Sequence, residues 1–242
     1  MTLTALEMTQ QTAEPIVAKG SKFMFGEEAK AIAEAEGYPN GFALYFAGRA
    51  GVMGTADPDQ VVSAFAWWEP GLVTKMFERG IDGHSPAEAA AHFAQACRQW
   101  GDNNLADVPG TETIARLGRK VIDAAVPMGA PLYRGWRALP PGDSTAGAAA
   151  LVVQTLRELR GDLHIQAVAV EGLTPLQAVA CHGGEERSKM FGWPEPGPDS
   201  AEVRARWDRA EEVTNQMVAS YFEVLSGTER QELTEALQAS PG

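Results

Sequence analysis

The sequence is poor in cysteine, has no long hydrophobic run, and lacks most of the short motifs that announce a chemistry. Among 242 residues only Cys97 and Cys181 occur, far apart and in Ala-rich surroundings. A distant pair of this kind reads as two buried thiols rather than a disulfide, in the reducing setting of the cytoplasm. No stretch of about 18 apolar residues is present, which excludes a transmembrane helix and makes a membrane partner unexpected. The opening "MTLTALEMTQQTAEP" has no basic n-region and no apolar core, so it does not read as a secretory signal. Residues 1–24 read instead as a flexible polar arm. The chain contains no Walker loop, no G-x-G-x-x-G, no G-x-S-x-G elbow, no H-E-x-x-H and no C-x-x-C. Nucleotide, redox and metal classes lose support accordingly, and no cofactor or metal is expected. Positive charge is scarce too: 20 Lys and Arg against 32 Asp and Glu give a net −12, which argues against general polyanion binding.

What is present is mostly helix. The strings "DPDQ" (57–60), "SPAE" (85–88) and "TPLQ" (174–177) each offer a cap, a proline suited to the first turn, and a Glu or Gln that can return a bond to the cap. "DSAE" (199–202) and "TERQ" (228–231) are capping boxes without the proline. Helices are predicted at 27–37, 41–49, 58–68, 70–79, 86–100, 111–125, 130–138, 145–160, 175–182, 200–225 and 229–238. Gly37, Gly80, Gly101, Gly172 and Gly227 suit helix ends. Only "HIQAVAVEG" (164–172) is ambiguous between helix and strand, so the fold class is mainly α. Pro/Gly loops bracket "LYRGWRA" and make 129–143 a connector between halves. A short echo, "FAWWEPG" (65–71) and "MFGWPEPG" (190–197), fits two related halves.

The charge is uneven. Residues 113–160 carry seven Lys and Arg against three acids, +4 in a remainder of −16. Within this basic centre lies "LRELRGDLHIQAVA" (156–169), where Arg157, Glu158, Arg160, Asp162 and His164 sit beside apolar sequence. If the helix continues through Gly161, Arg157, Arg160 and His164 share one stripe and Glu158 and Asp162 the next. A solvated ion-pair lattice explains the cluster as simply as a pocket lining does. Of the other histidines, Glu88 and His92 have metal-ligand spacing but read as an ordinary helical pair. His84 reads as loop and His182 as a helix-end cation, with its place in a site left open. Adjacent Trp67 and Trp68 point about 100° apart on a helix, so one of them is free to face a cavity or interface.

Three blocks carry a likeness: "AGRAGVMG" (47–54) with "AFAWWEPGLV" (64–73), "GAPLYRGWRALPPGD" (129–143), and "LRELRGDLHIQAVAVEGLTPLQAVACH" (156–182). On these the chain resembles the actinobacterial helix-turn-helix-like family of SalK type, over roughly residues 25–240. The resemblance implies two winged-helix-like halves, 25–128 and 144–242, with degenerate wings. The chain departs from the family pattern at Leu159, where His is usual, and at Leu163, where Gly is usual. Some relatives carry an epimerase label.

The expectation is a small-molecule-binding protein of secondary metabolism, with a cavity between the halves for an anionic or carbonyl-containing molecule. As an enzyme it would be a cofactor-independent isomerase, epimerase or cyclase. His164 would transfer a proton, with Arg160 beside it as a second catalytic group. Arg49 and Arg157 would hold the anion, Glu158 would orient them, and Tyr45, Trp67 and Trp68 would wall the cavity. Arg49, Arg157 and Arg160 should then converge on one void with fewer acids than arginines. A winged-helix DNA-binding regulator is the alternative, although nucleic acid is not the expected partner: residues 200–240 hold four Arg against eight acids. A metabolite-sequestering protein without turnover would use the same cavity. A homodimer is left open.

Overall fold

A computed structural model describes residues 2–240, and every regular element in them is helical. The order is α1 (Ala5–Gly20), a 3₁₀ turn (Lys22–Phe25), α2 (Glu27–Ala35), α3 (Gly41–Gly51), α4 (Pro58–Ala64), α5 (Pro70–Gly80) and α6 (Pro86–Leu105). There follow α7 (Thr111–Thr113), a π segment (Ile114–Gly118), α8 (Arg119–Ala124), α9 (Pro131–Arg137), α10 (Thr145–Val170), α11 (Pro175–Met190), α12 (Ala201–Phe222) and α13 (Gly227–Ala239). No strand forms among the described residues, so neither expected half carries a β-wing. No described helix is long and apolar enough to cross a membrane.

The helices begin where side chains satisfy the first free N–H groups. Asp57, Ser85 and Thr174 cap α4, α6 and α11 with proline in the first turn, as the sequence predicts. The cap of α12 is Ser200, one residue after the expected Asp199, and that of α13 is Ser226, two residues before the expected Thr228. Gly101, expected at a helix end, lies inside α6. A Cβ there would sit 2.5 Å from Ala146 O, so glycine lets α6 close onto α10.

α10 is the axis of the fold. It runs 26 residues, straight through Gly161 and the ambiguous 164–170 stretch, and α1, α6, α9 and α12 pack around it. One continuous apolar core extends from Ala5 to Leu237, and a smaller cluster gathers Ala167, Val168, Leu173, Ala178, Val203 and Ala210. Within the expected connector 129–143, α9 is part of that core: Tyr133 and Trp136 are both 1% exposed.

The polar arm expected over 1–24 is instead α1, started by a complete Thr4–Glu7 capping box. Met8 and Ile16 pack inward, and the buried hydroxyls of Thr9 and Thr12 bond back to Ala5 O and Met8 O. At its end the Lys19 ammonium donates to the carbonyls of Leu237 and Ser240, where α13 has no intrahelical partners left. Apolar spacing along α1 thus ties the chain's beginning to its last helix.

The two echoing segments lie against each other. Glu69 N–H donates to Phe191 O and Trp193 Nε1–H to Trp67 O, both at 2.9 Å. The helix predicted over 58–68 stops at Ala64, so Trp67 and Trp68 lie in a turn. They part as expected, Trp68 into the main core and Trp67 beside the smaller cluster.

Candidate functional site

α10 presents two polar stripes to different neighbours. Gln154, Glu158 and Asp162, four apart, lie on one face. Glu158 is fully buried and receives Arg49 Nε at 2.7 Å and Nη2 at 2.8 Å, a forked pair across α3 and α10. Gln154 Nε2 donates to the same carboxylate at 2.6 Å, and Arg157 Nη1 more weakly at 3.3 Å. Arg49 also donates to Tyr45 Oη at 3.0 Å, with its guanidinium 4.5 Å over the Phe65 ring. Burial alone would raise the Glu158 carboxyl, but Arg49 and Arg157 outweigh it and hold the group below the usual carboxylate range.

One turn on, Asp162 is 3% exposed and accepts the Tyr133 backbone N–H at 2.9 Å, at the start of α9. Burial, reinforced by the charge of Glu158, pushes its carboxyl up to about 7, against the pull of that N–H and of Arg49. Asp162 borders an open cleft of about 600 Å³, lined also by Met53, Asp59, Gln60, Ser63, Pro131 and Ile165. That volume is in the range of small-molecule sites, roughly 300–1,000 Å³.

The second stripe faces α12. Arg160 donates to Asn215 Oδ1 at 2.8 Å and to Glu211 Oε2 at 2.6 Å. His164 Nδ1 lies 2.9 Å from Thr214 Oγ1, whose own proton goes to Ala210 O at 2.6 Å. The hydroxyl therefore accepts from Nδ1–H, which leaves Nε2 as a bare acceptor, buried without a donor among the described residues and 3.6 Å from Glu211 Oε1. The Trp67 and Trp207 rings stand 5.4 and 4.9 Å from the imidazole. Burial first, then Arg160 and His182, push His164 down to about 3, so it is neutral at neutral pH.

The arrangement departs from the expected convergence. Arg49, Tyr45, Arg157 and Glu158 do meet, but Arg160 and His164 turn away to α12 with Trp67. Trp68 packs among Tyr45, Phe46 and Phe191 in the core. The reason is helical geometry: residues 158 and 162 repeat on one side of α10, while 160 and 164 repeat some 200° around. His182 lies on the rim, 5.9 Å from Trp207. Glu88 and His92 serve separate ends, the first bonded to Ser85 and the second facing Tyr38 and Glu36.

The basic centre is largely neutralised. Arg116 and Lys120 pair with Glu232 and Glu229 of α13, Arg119 with Asp123, and Arg137 donates to the Ala125 and Asp123 carbonyls. Sequence reasoning passed over Glu211, Thr214 and Asn215, although their i, i+3, i+4 spacing on α12 marks a single polar face.

The elements also include two helix, short turn, helix units: α4 with α5, and the two arms of α11. α11 breaks at Gly183–Gly184, where Gly184 adopts φ 65° and ψ −153°, a conformation open to glycine alone. These features define an all-helical protein of helix-turn-helix type with a buried polar spine. The profile of the helix-turn-helix family matches residues 7–197, most of the chain, and the chain belongs to that family. α12 and α13 lie beyond the matched range. No curated protein and no solved structure matches the chain.

Proposed function

We propose that the protein binds a small carbonyl-containing or anionic organic molecule in the Asp162 cleft and that Asp162 exchanges a proton with it. The observation that carries this reading is the Glu158–Asp162 pair. Two carboxyls one turn apart have their proton affinities driven in opposite directions, a pattern that separates an acid–base group from a fixed anion. Asp162 takes the role expected of His164, whose affinity for a proton is too low for transfer near neutrality. Arg49 fixes the Glu158 charge behind it, and Ser63 and Gln60 supply polar contacts at the mouth. Isomerisation, epimerisation or cyclisation without a redox cofactor is the chemistry this supports, in a cytoplasmic setting where Cys97 and Cys181 stay reduced. Sequestration without turnover would use the same cleft.

The test is a ligand-detected NMR screen of carbonyl acids against the wild-type protein and Asp162→Asn. A hit that binds both, with hydrogen exchange next to its carbonyl only in the wild type, is the expected result. Hits indifferent to Asp162 in both binding and exchange would end the reading.

A second reading, a DNA-binding regulator, is favoured by the family match itself. Fold does not carry function, and the cations a duplex would need are paired with α13 acids. Fluorescence anisotropy with random duplex at ~50 mM salt decides it: micromolar binding with a steep salt slope would put this reading first.

A further inference from the structure

The lining of the Asp162 cleft is rich in acceptors and short of cations. Asp59, Gln60 and Ser63 of α4 contribute to it, together with Asp162 of α10, and no described Lys, Arg or His does. The exposed Asp59 carboxylate has no ion-pair or hydrogen-bond partner among the described residues; only its backbone N–H is engaged, by Asp57 Oδ1 at 3.0 Å. Gln60 donates from Nε2 to Asp57 Oδ2 at 3.3 Å, which leaves its Oε1 as a free acceptor. Asp162 is 3% exposed, and the Tyr133 N–H occupies its Oδ2. Its Oδ1 has no donor in hydrogen-bond geometry among the described residues and is not sealed from solvent, so this oxygen is open to a ligand. Arg49, the cation behind it, is forked onto Glu158.

A carboxylate or phosphate entering this cleft would meet the charge of Asp59 with no cation to hold it, and like charges in one site select against a ligand. An ammonium group reverses the sign and brings N–H donors to match the acceptors of α4. We propose that the cleft selects a carbonyl compound bearing a basic amine, with its ammonium at Asp59 and its carbonyl toward Asp162. This rests on the cleft reading given under the proposed function and narrows it, from carbonyl or anionic molecules to cationic carbonyl ones. A carboxyl that keeps its proton near neutrality can donate to a carbonyl oxygen, which suits the Asp162 end. Met53, Pro131 and Ile165 supply apolar wall for the body between the two polar ends.

The string "DPDQ" builds this selectivity locally. Asp57 caps α4 and Pro58 fits its first turn, so the helix start is satisfied without the Asp59 side chain. Asp57 also takes the Gln60 amide N–H, which fixes that side chain as an acceptor. Asp59 is thereby left with no structural duty in its own helix. Its role is in specificity, through the charge it sets at the mouth, and not in proton transfer.

Three methyl ketones on a six-membered ring are the probes, each with the acetyl group across the ring from the varied group. They are acetylpiperidine, cationic at neutral pH, acetyltetrahydropyran, uncharged, and acetylcyclohexanecarboxylate, anionic. Saturation-transfer NMR at neutral pH and constant ionic strength reads their affinities for the wild type, Asp59→Asn, Asp59→Lys and Asp82→Asn, the last an exposed acid outside the cleft. The wild type and Asp82→Asn should bind the ammonium ketone tightest and the carboxylate weakest. Asp59→Asn should weaken the ammonium ketone by about two- to fivefold, the size of one solvent-exposed charge pair, and leave the uncharged ketone unchanged. Asp59→Lys should turn the preference toward the carboxylate. Because Asp57 holds the cap, both variants should keep the wild-type circular dichroism. Equal affinity for the three ketones, tightest binding of the carboxylate by the wild type, or an Asp59→Asn indifferent to charge overturns the assignment. Hydrogen exchange beside the ketone, read in the same samples and in Asp162→Asn, tests proton transfer separately. Exchange without charge preference overturns the amine assignment alone, charge preference without exchange supports it and overturns only the proton transfer, and no binding of any ketone ends both.

Discussion

The two polar faces of α10 hold similar residues and treat them differently. Toward α3, Glu158 is sealed from water with Arg49, and its neighbour Asp162 keeps a proton near neutrality beside an open cleft. Toward α12, Arg160 and His164 meet Glu211, Asn215 and Thr214 in a half-open seam, and the histidine gives up its proton instead of holding it. Burial disfavours the charged form in both places, so it raises an acid and lowers a base. The first face is left with an acid poised to exchange a proton, the second with a neutral ring locked by its neighbours. On the function proposed above, chemistry would belong with the first face, and cohesion between α10 and α12 with the second.

The strongest way to break this comparison is to remove the fixed anion. Glu158→Gln leaves Arg49 buried without a counter-charge and should cost about 3–5 kcal/mol in urea unfolding. Replacing both partners together, Arg49→Met with Glu158→Leu, should recover most of that loss, since the pair's attraction does little more than offset its desolvation. If the double variant is as unstable as the single one, the pair contributes net stability and the account of this face is wrong.

The pH dependence of stability separates the faces by sign. Folded Asp162 keeps its proton to about pH 7, whereas an unfolded Asp loses it near about 3.9. Its contribution is full below about pH 4 and is lost as pH rises to 7. His164 runs the other way. The unfolded chain takes up its proton below about pH 6.5, and the folded ring resists until about 3. Its contribution is full above about pH 6.5 and is lost as pH falls to 3. In the wild type the two slopes oppose each other between pH 4 and 6.5, each on the order of a few kcal/mol end to end. Asp162→Asn should uncover stability that rises with pH, and His164→Gln stability that falls with it. Urea midpoints at four pH values suffice, and three superimposable profiles would show that neither group is shifted.

Much of the fold was legible because helix starts are local events. Asp57, Ser85 and Thr174 each carry cap, proline and returning side chain within four residues, and the structure uses all three. Thr4-Ala-Leu-Glu7 carries the same box signature. It lies in the stretch that reads as a polar arm, yet Met8 and Ile16 pack inward and the segment forms α1 with Pro15 inside it. The site was half legible. Charges beside core sequence announced a buried cluster, and Arg49, Tyr45, Arg157 and Glu158 do converge. Which carboxyl meets a cleft depends on where α4 and α9 pack, a non-local fact that no spacing encodes.

The smallest expected effect lies on the second face, with Glu211→Gln. Glu211 is 36% exposed, so solvent screens its pairing with Arg160, and exposed or half-exposed pairs contribute about 1 kcal/mol or less. Arg160 keeps Asn215 Oδ1 as an acceptor after the substitution, so no buried cation is orphaned. The new amide can also turn a donor toward His164 Nε2, now 3.6 Å from a carboxylate oxygen and without a hydrogen-bond partner among the described residues. A gained bond would offset part of the lost ion pair, so the net change in urea unfolding should fall within about 1 kcal/mol of zero. The same substitution should leave the pH profile of Asp162 untouched, because the two groups stand on opposite sides of α10. A loss as large as that of Glu158→Gln would mean that the second face is as sealed as the first, and the division of labour along α10 would not hold.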